Sequence, residues 1–251
     1  SGVISGNLIS NVVASVDGYG ITLSRLDTDT LAADPLSADV SILNNVVNNV
    51  TNWAGIDAHA GQGVSIVGNV VRGSRRGITV GSAKNATAVE TWAATNITIT
   101  GNSLYADRSD ATYGIALTGA YVSLTNAANR KVLGGIIANN VVVGYGEDTA
   151  LGGAIYTHLT VGAVISGNTV VEPRRTGIVV DLENDRLNII GNTIVDPNAS
   201  AGVAVGIKST EGHNKFFVSG NSFARGNKTA TILNTFAIQV GSATDTAFIG
   251  L

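Results

Sequence analysis

At 251 residues the chain is long enough to bury a substantial core, and its 44% hydrophobic and 13% charged residues exclude an intrinsically disordered protein. The absence of Cys excludes a disulfide framework and a thiolate metal site. The net charge of −3, with scattered Lys and Arg, argues against nucleic-acid binding. No apolar stretch approaches the roughly 18 residues that predict a membrane-spanning helix.

A recurring phrase predicts the first strand of each repeat. It consists of alternating apolar residues followed by Gly-Asn or Asn-Asn, and its first copy is Val3–Asn7. Successive copies lie between 24 and 38 residues apart, with a mean interval of about 31. The copies end at Asn7, Asn45, Asn69, Asn102, Asn140, Asn168, Asn192 and Asn221.

A second phrase in each repeat predicts another strand. It reads Gly-Ile followed by period-two alternation, which is typical of short β-strands, whereas recurring Gly, Asn and β-branched residues argue against helix. One such strand pair cannot bury its apolar face alone, but stacked repeats share a continuous core. The phrase starts at Gly20, Gly55, Gly77, Gly114, Gly177 and Gly206, with weaker copies at Gly153 and Phe236.

The Asn that ends the first phrase has a predicted structural role. Asn tolerates the left-handed backbone conformation that a sharp corner needs. Its side-chain amide can also form hydrogen bonds to the repeats above and below. We therefore expect these residues to stabilise the fold and not to bind a ligand.

The two phrases resemble those of the right-handed parallel β-helix superfamily, which includes pectate lyases, mannuronan epimerases, periplasmic copper-site maturation proteins and phage tailspikes. The resemblance covers nearly the whole chain and implies an all-β solenoid of about eight coils, a single domain over residues 1–251. Both ends fall within a coil, so we expect a piece of a longer extracellular, periplasmic or virion-surface protein. A homotrimer would suit a tailspike.

Unequal repeat lengths predict that insertions leave the solenoid as loops. The candidate insertions are 27–39, 84–95, 121–131 and 144–151. Such loops often form the walls of a binding groove, and they can equally be oligomer contacts.

Two outward-facing columns follow from the Gly-Ile strand, in which Ile points inward and the next residue outward. We name them by their second members. The Asp57 column is Thr22, Asp57, Thr79, Ala116, Tyr156, Val179, Lys208 and Gln239; the His59 column is Ser24, His59, Gly81, Thr118, His158, Asp181, Thr210 and Gly241. Because coils stack about 4.8 Å apart, two polar clusters about 14 Å apart are expected, one at His59 and one at His158.

These clusters predict either of two reactions on a polysaccharide. A lyase or epimerase needs a base and a cation beside a uronate carboxylate, which His158, Tyr156, Lys208 and Arg175 could supply. A glycosidase needs two carboxyl groups, and Asp181 and Glu183 are two residues apart on the predicted strand, which would place them about 6.5 to 7 Å apart on one face. The candidate catalytic residues are therefore His158, Tyr156, Asp181, Glu183 and Lys208.

The candidate substrate-binding residues are Asp57, His59, Arg76, Arg175 and Trp92. Each also has a structural interpretation: solvated Asp and His on a sheet exterior, Arg at a corner binding carbonyls, and Trp anchoring a loop. No metal or cofactor is predicted, since the nonapeptide calcium repeat is absent. The leading hypothesis is a carbohydrate-active β-helix; the alternatives are a non-catalytic structural or adhesive shaft and a periplasmic maturation factor.

Overall fold

The computed structural model describes most of the chain, and all of the secondary-structure elements that it describes are β-strands. The described part of the chain contains no helix that could span a membrane. The described residues are 1–14, 17–24, 36–84, 90–120, 131–147, 152–197, 203–210, 212, 214–225, 234–241 and 244–250.

Twenty-six of the described strands form three parallel sheets. Sheet A contains β1 (Gly2–Ser5), β4 (Val40–Leu43), β7 (Ser65–Val67), β12 (Thr95–Thr100), β15 (Val132–Ala138), β18 (Thr160–Val161), β19 (Val164–Ser166), β22 (Leu187–Ile190), β25 (Lys215–Ser219) and β28 (Thr246–Gly250). Sheet B contains β2 (Leu8–Val12), β5 (Val46–Val50), β8 (Val70–Arg72), β13 (Ser103–Tyr105), β16 (Val141–Val143), β20 (Thr169–Val171), β23 (Thr193–Val195) and β26 (Ser222–Ala224). Sheet C contains β3 (Tyr19–Leu23), β6 (Ala54–His59), β9 (Arg76–Gly81), β14 (Ile115–Thr118), β17 (Gly153–His158), β21 (Thr176–Val180), β24 (Val203–Ser209) and β27 (Asn234–Val240).

The chain therefore visits the three sheets in turn, and each turn is one coil of a parallel β-helix. Sheets B and C each contain eight strands from successive coils. Connections between parallel strands are right-handed in nearly all proteins. The predicted right-handed solenoid of about eight coils is confirmed.

The core consists of stacked apolar side chains from the inner faces of the sheets. The Ile of the second phrase pairs with its equivalent on the next coil, as Ile56 does with Ile78 and Ile155 with Ile178. These Ile side chains are fully buried. Because every coil contributes the same inward positions, the core is continuous along the solenoid.

A ladder of hydrogen-bonded Asn side chains runs along the corner between sheets A and B, as predicted. From Asn7 to Asn192, each Nδ2 donates to the Oδ1 of the next Asn, for example from Asn69 to Asn102 and from Asn102 to Asn140, both at 3.0 Å. The predicted left-handed conformation instead belongs to the preceding residue, such as Gly101 (φ 65°) or Asn139 (φ 55°). The first residue of each Gly-Asn or Asn-Asn pair makes the turn, and the second bonds the coils together.

The Gly of the second phrase is required where sheets B and C meet. A Cβ atom on Gly114 would lie 2.3 Å from Cγ1 of Val142, a fully buried residue of sheet B. A Cβ atom on Gly77 would lie 2.4 Å from the carbonyl oxygen of Gly114 on the next coil. Both Gly and Ile of the phrase therefore face inward, which interrupts the alternation at the start of sheet C.

One predicted insertion contains a small hairpin outside the three sheets. Strands β10 (Ala83–Lys84) and β11 (Glu90–Trp92) pair antiparallel next to the end of β9. Much of the other predicted loops, including 27–35, 121–130 and 148–151, lies outside the described residues.

Candidate functional site

Strand pairing in sheet C confirms the register of the two predicted outward columns. Asp57 pairs with Thr79, and Tyr156 pairs with both Ala116 and Val179. His158 pairs with Thr118 in the second column. Tyr156, Ala116 and Val179 form a small apolar cluster of their own, separate from the main core. The polar candidates of these columns therefore lie on the outer face of sheet C.

The first polar cluster is centred on Asp57. Its Oδ2 lies 2.7 Å from Nε2 of His59, and its Oδ1 accepts a hydrogen bond from the Thr79 hydroxyl. The ring of Tyr19 meets the His59 ring edge-on, with centroids 6.0 Å apart. The Asp57 side chain is buried, whereas that of His59 is 32% exposed. Asp57 thus holds the His59 imidazole at a position that a ligand can reach.

Arg76 lies beside this cluster between two aromatic rings. Its guanidinium carbon is 3.8 Å from the centroid of the Trp53 ring and 5.7 Å from that of Tyr113. Burial lowers the pKa of Arg76, although an arginine remains protonated at neutral pH. Burial, with the nearby Glu147 charge, raises the pKa of Tyr113 and keeps its hydroxyl protonated. The stacked arrangement fixes a positive charge next to the Asp57–His59 pair.

These side chains line one cleft of about 200 Å³ on the outer face of sheet C. Its floor consists of small residues, its charged side chains are Asp57 and Arg76, and His59 lies beside them. We call this feature the cleft. Its described lining is Trp53, Asp57, His59, Arg76, Thr79, Gly81, Ser82, Tyr113, Ala116 and Thr118.

The second polar cluster lies beyond the far end of the cleft and is more deeply buried. The Tyr156 hydroxyl donates to Oδ2 of Asp181 at 2.5 Å, and the Thr210 hydroxyl donates to Oδ1. The His158 ring stacks on Tyr156 with centroids 6.3 Å apart, and His158 is only 5% exposed. The structure thus brings Tyr156, His158 and Asp181 together, with both carboxylate oxygens of Asp181 hydrogen-bonded.

The predicted pair of carboxyl groups on one strand is wrong. Strand β21 ends at Val180, and Glu183 lies in the following turn with a left-handed φ of 54°. The Glu183 carboxylate is 3.5 Å from Nζ of Lys131 and forms an ion pair with it, whereas the Asp181 carboxylate accepts hydrogen bonds from Tyr156 and Thr210. The strand spacing on which the glycosidase hypothesis depended is therefore absent.

Three further candidates lie apart from the cleft. Lys208 is separated from Tyr156 by the fully buried Val179, and burial together with the charge of Arg175 lowers the pKa of Lys208. Arg175 is thus close to Lys208. Trp92 lies on the hairpin strand β11. The tryptophan in the described lining of the cleft is Trp53.

A third outward column contains Arg76, which the sequence analysis named, together with Tyr19 and Tyr113, which it missed. Tyr19, Arg76 and Tyr113 each come directly before the Gly of a Gly-Ile phrase. The position is occupied on four successive coils by Tyr19, the fully buried Ala54, Arg76 and Tyr113. An aromatic or basic residue in that fixed position, in three of the repeats, is the signal that could have revealed the column.

The environment of Tyr19 predicts a loss of stability at alkaline pH. Burial, followed by the nearby Asp57 and Asp17 charges, raises the pKa of Tyr19 from 10.0 to about 12. Since the folded state holds the phenolic proton more tightly, this contribution to stability is complete below pH 10.0 and is lost as the pH rises toward 12. We expect Tyr19→Phe to lose less stability than the unsubstituted protein across this range in urea unfolding. Equal losses would contradict the prediction.

Structural comparison finds three similar solved structures of low sequence identity. A mutant of the periplasmic alginate epimerase AlgG is 16% identical with a TM-score of 0.49, and the match covers 88% of this chain and 54% of that one. The Dettilon tailspike protein is 12% identical with a TM-score of 0.41, covering 99% and 60%. An alginate lyase from Paenibacillus sp. is 10% identical with a TM-score of 0.36, covering 88% and 99%. This chain thus spans little more than half of the epimerase and three fifths of the tailspike.

Sequence comparison with curated proteins gives no match, whereas comparison with family models gives one that spans almost the whole chain. The matching model is described as "Periplasmic copper-binding protein (NosD)", and it aligns with residues 3–239. The periplasmic description agrees with the predicted location, which was extracellular, periplasmic or virion-surface. The chain belongs to the NosD family of parallel β-helix proteins.

Proposed function

We propose that this chain binds an acidic polysaccharide across the outer face of sheet C and cleaves it by β-elimination beside a uronate carboxylate. The observation that carries the proposal is the cleft, in which Arg76, held between Trp53 and Tyr113, lies next to the Asp57–His59 pair. A positive charge beside a base is what this reaction class requires.

Binding relies on Arg76 and the aromatic rings around it. A guanidinium forms paired hydrogen bonds with a carboxylate, and its stacking on Trp53 limits the conformational entropy lost on binding. The rings of Trp53 and Tyr113 supply apolar area for a sugar, and Thr118 and Ser82 supply hydroxyl groups. The cleft therefore suits a sugar that has both hydroxyl groups and a carboxylate.

The chemistry assigned to the cleft is an elimination with two proton transfers, one from the sugar carbon to His59 and one from Tyr113 to the leaving oxygen. His59 takes the proton from the carbon beside the carboxylate, and Arg76 stabilises the negative charge that develops there. The electron pair then forms the double bond of the product while the bond to the neighbouring sugar's oxygen breaks. That oxygen takes a proton from Tyr113, whose raised pKa keeps it protonated. Asp57 stabilises the imidazolium that forms on His59.

Hydrolysis is the less favoured reaction because it needs two carboxyl groups within about 10 Å, and the described lining of the cleft contains one, that of Asp57. Asp57 and Asp181 lie four coils apart along sheet C, which corresponds to about 19 Å. Tyr156, His158 and Asp181 are assigned a supporting role, because their hydrogen bonds and burial hold the sheet surface rigid beyond the cleft.

The family description names copper, a metal that proteins bind through Cys, Met or His. This chain has no Cys, no Met and three His. His59 and His158 are three coils apart, about 14 Å, so they cannot bind one ion, and His213 lies outside the described residues. No group of three or more His, Asp or Glu among the described residues could hold a metal. These residues do not fit copper, and the proposed reaction does not use it.

The test is a binding and activity assay with polyuronates, including alginate and pectate, and a neutral glucan. We expect the protein to bind a polyuronate and to generate the ultraviolet absorbance of an unsaturated uronate. Arg76→Gln should weaken binding about tenfold or more, since it removes a charged hydrogen-bond donor.

The matched control is Arg186→Gln, which makes the same change at a side chain that is 74% exposed on a turn. Binding by this variant should equal that of the unsubstituted protein. New reducing ends without absorbance would indicate hydrolysis and refute elimination. No binding to any polymer in the panel would favour the structural shaft.

A further inference from the structure

A second polar pocket lies on sheet B of the same coils, around the corner from the cleft. It has a volume of about 350 Å³, and we call it the corner pocket. Arg72 ends strand β8, and the next strand, β9, begins with Arg76. Its described lining is Asn48, Asn49, Arg72, Gly73, Asp107 and Arg108.

The cation of the corner pocket is held over an aromatic ring, as Arg76 is in the cleft. Asn48, Arg72 and Tyr105 pair in register on three successive coils and therefore share the outer face of sheet B. The Arg72 guanidinium carbon lies 4.9 Å from the centroid of the Tyr105 ring. Arg72 forms no ion pair with any described residue, so its charge is available to a ligand.

The other charges of the pocket are arranged differently. Arg108 is neutralised by a two-pronged contact with Asp110, in which both hydrogen bonds are 2.8 Å long. Asp107 leaves a carboxylate at the rim, which would repel a phosphate or sulfate but accepts hydrogen bonds from sugar hydroxyl groups. One available cation, one carboxylate and two side-chain amides together suit a sugar acid.

A buried tyrosine lies within electrostatic reach of the pocket lining. Tyr145 is completely buried, and its hydroxyl makes no hydrogen bond to any described residue. The charges that act on this hydroxyl are those of Asp107 and Arg108, two residues of the pocket lining. Tyr145 is outside the described lining of the pocket, so the groups that a ligand would contact there are Arg72, Asp107 and the amides of Asn48 and Asn49.

The corner pocket and the cleft are close enough for one polymer to occupy both. Arg72 and Arg76 are separated by three residues, so their Cα atoms are at most about 14 Å apart. We propose that the corner pocket is a second subsite for the same acidic polysaccharide, in which Arg72 binds a uronate carboxylate. The polymer then turns over the corner from sheet C to sheet B. This inference rests on the proposed function of the cleft.

The experiment compares Arg72→Gln with the unsubstituted protein on uronate oligomers of increasing length. We expect the shortest oligomers, which fill only the cleft, to bind and turn over equally in both proteins. Long oligomers should bind Arg72→Gln about tenfold more weakly or worse, because one charged contact is lost. Asn48→Ala should show the same dependence on length with a smaller loss.

Two controls keep the outcomes distinct. Arg225→Gln removes an exposed arginine directly after the last strand of sheet B, five coils away, and should bind all oligomers normally. If Arg72→Gln binds long oligomers normally while Arg76→Gln does not, the second subsite is refuted and the cleft stands. If neither substitution weakens binding, both the subsite and the proposed function are refuted.

Discussion

Replacing Asn102 by aspartate is expected to destabilise the protein by about 3 kcal/mol or more. The Asn102 Nδ2 donates to the carbonyl oxygen of Ile66 and to Oδ1 of Asn140, at 2.9 and 3.0 Å. A carboxylate has no hydrogen atom to donate, so it would face both acceptors in a site that is completely buried. The measurement is the free energy of unfolding in urea at neutral pH.

The matched control for this substitution is Asn188→Asp, on the outer face of strand β22. Asn188 is half-buried and makes no side-chain hydrogen bond within the described part of the chain, so the effect should stay within about 0.5 kcal/mol. Lowering the pH should reduce the cost of Asn102→Asp, because the protonated carboxyl regains one donor. Equal costs for the two substitutions would mean that the ladder does not stabilise the coils.

Replacing His59 by glutamine is expected to lower kcat on a polyuronate by about 10²- to 10⁴-fold, the contribution typical of a general base. KM should change little, because Arg76 and the aromatic rings still bind the sugar. Glutamine retains a polar side chain next to Asp57 but cannot accept the proton. Steady-state rates measured over a range of polyuronate concentrations separate kcat from KM.

His158→Gln is the informative comparison, because it makes the same change in the same column three coils away. His158 is only 5% exposed, so its replacement should lower kcat far less than His59→Gln does. The opposite order of effects would place the reaction at the cluster of Tyr156, His158 and Asp181, as the sequence alone suggested. That result would also reverse the roles that we assign to the two clusters.

Both columns on sheet C could be predicted from the sequence because parallel strands stack in register. Once Ile56 and Ile78 are aligned, the pairing of Asp57 with Thr79 follows from alternation alone. The same rule aligned Tyr156 with Val179, although the phrase at Gly153 was weak. Burial fixes which residues of each strand face inward. Because side chains alternate along a strand, the residues that face outward are then fixed as well.

What the sequence did not predict depends on contacts between coils. Arg76 and Tyr113 were hard to assign to a face because Gly77 and Gly114 interrupt the alternation before the Ile. The end of β21 at Val180 depends on Asn184, whose side chain bonds to the Asp181 carbonyl and to Asn214 on the next coil. A local pattern cannot report on a partner 30 residues away.

The ladder of Asn side chains has a consequence for how this protein can evolve. Every coil presents the same donor and acceptor to its neighbours, whether it contains 24 residues, as between Asn45 and Asn69, or 38, as between Asn102 and Asn140. Duplication or deletion of one whole coil would therefore preserve the bonding along the corner. The distance between two clusters on sheet C can change only in steps of about 4.8 Å. Gain or loss of whole coils would thus fit the distance between the clusters to ligands of different length in discrete increments. Changes in loop length would leave that distance unaltered.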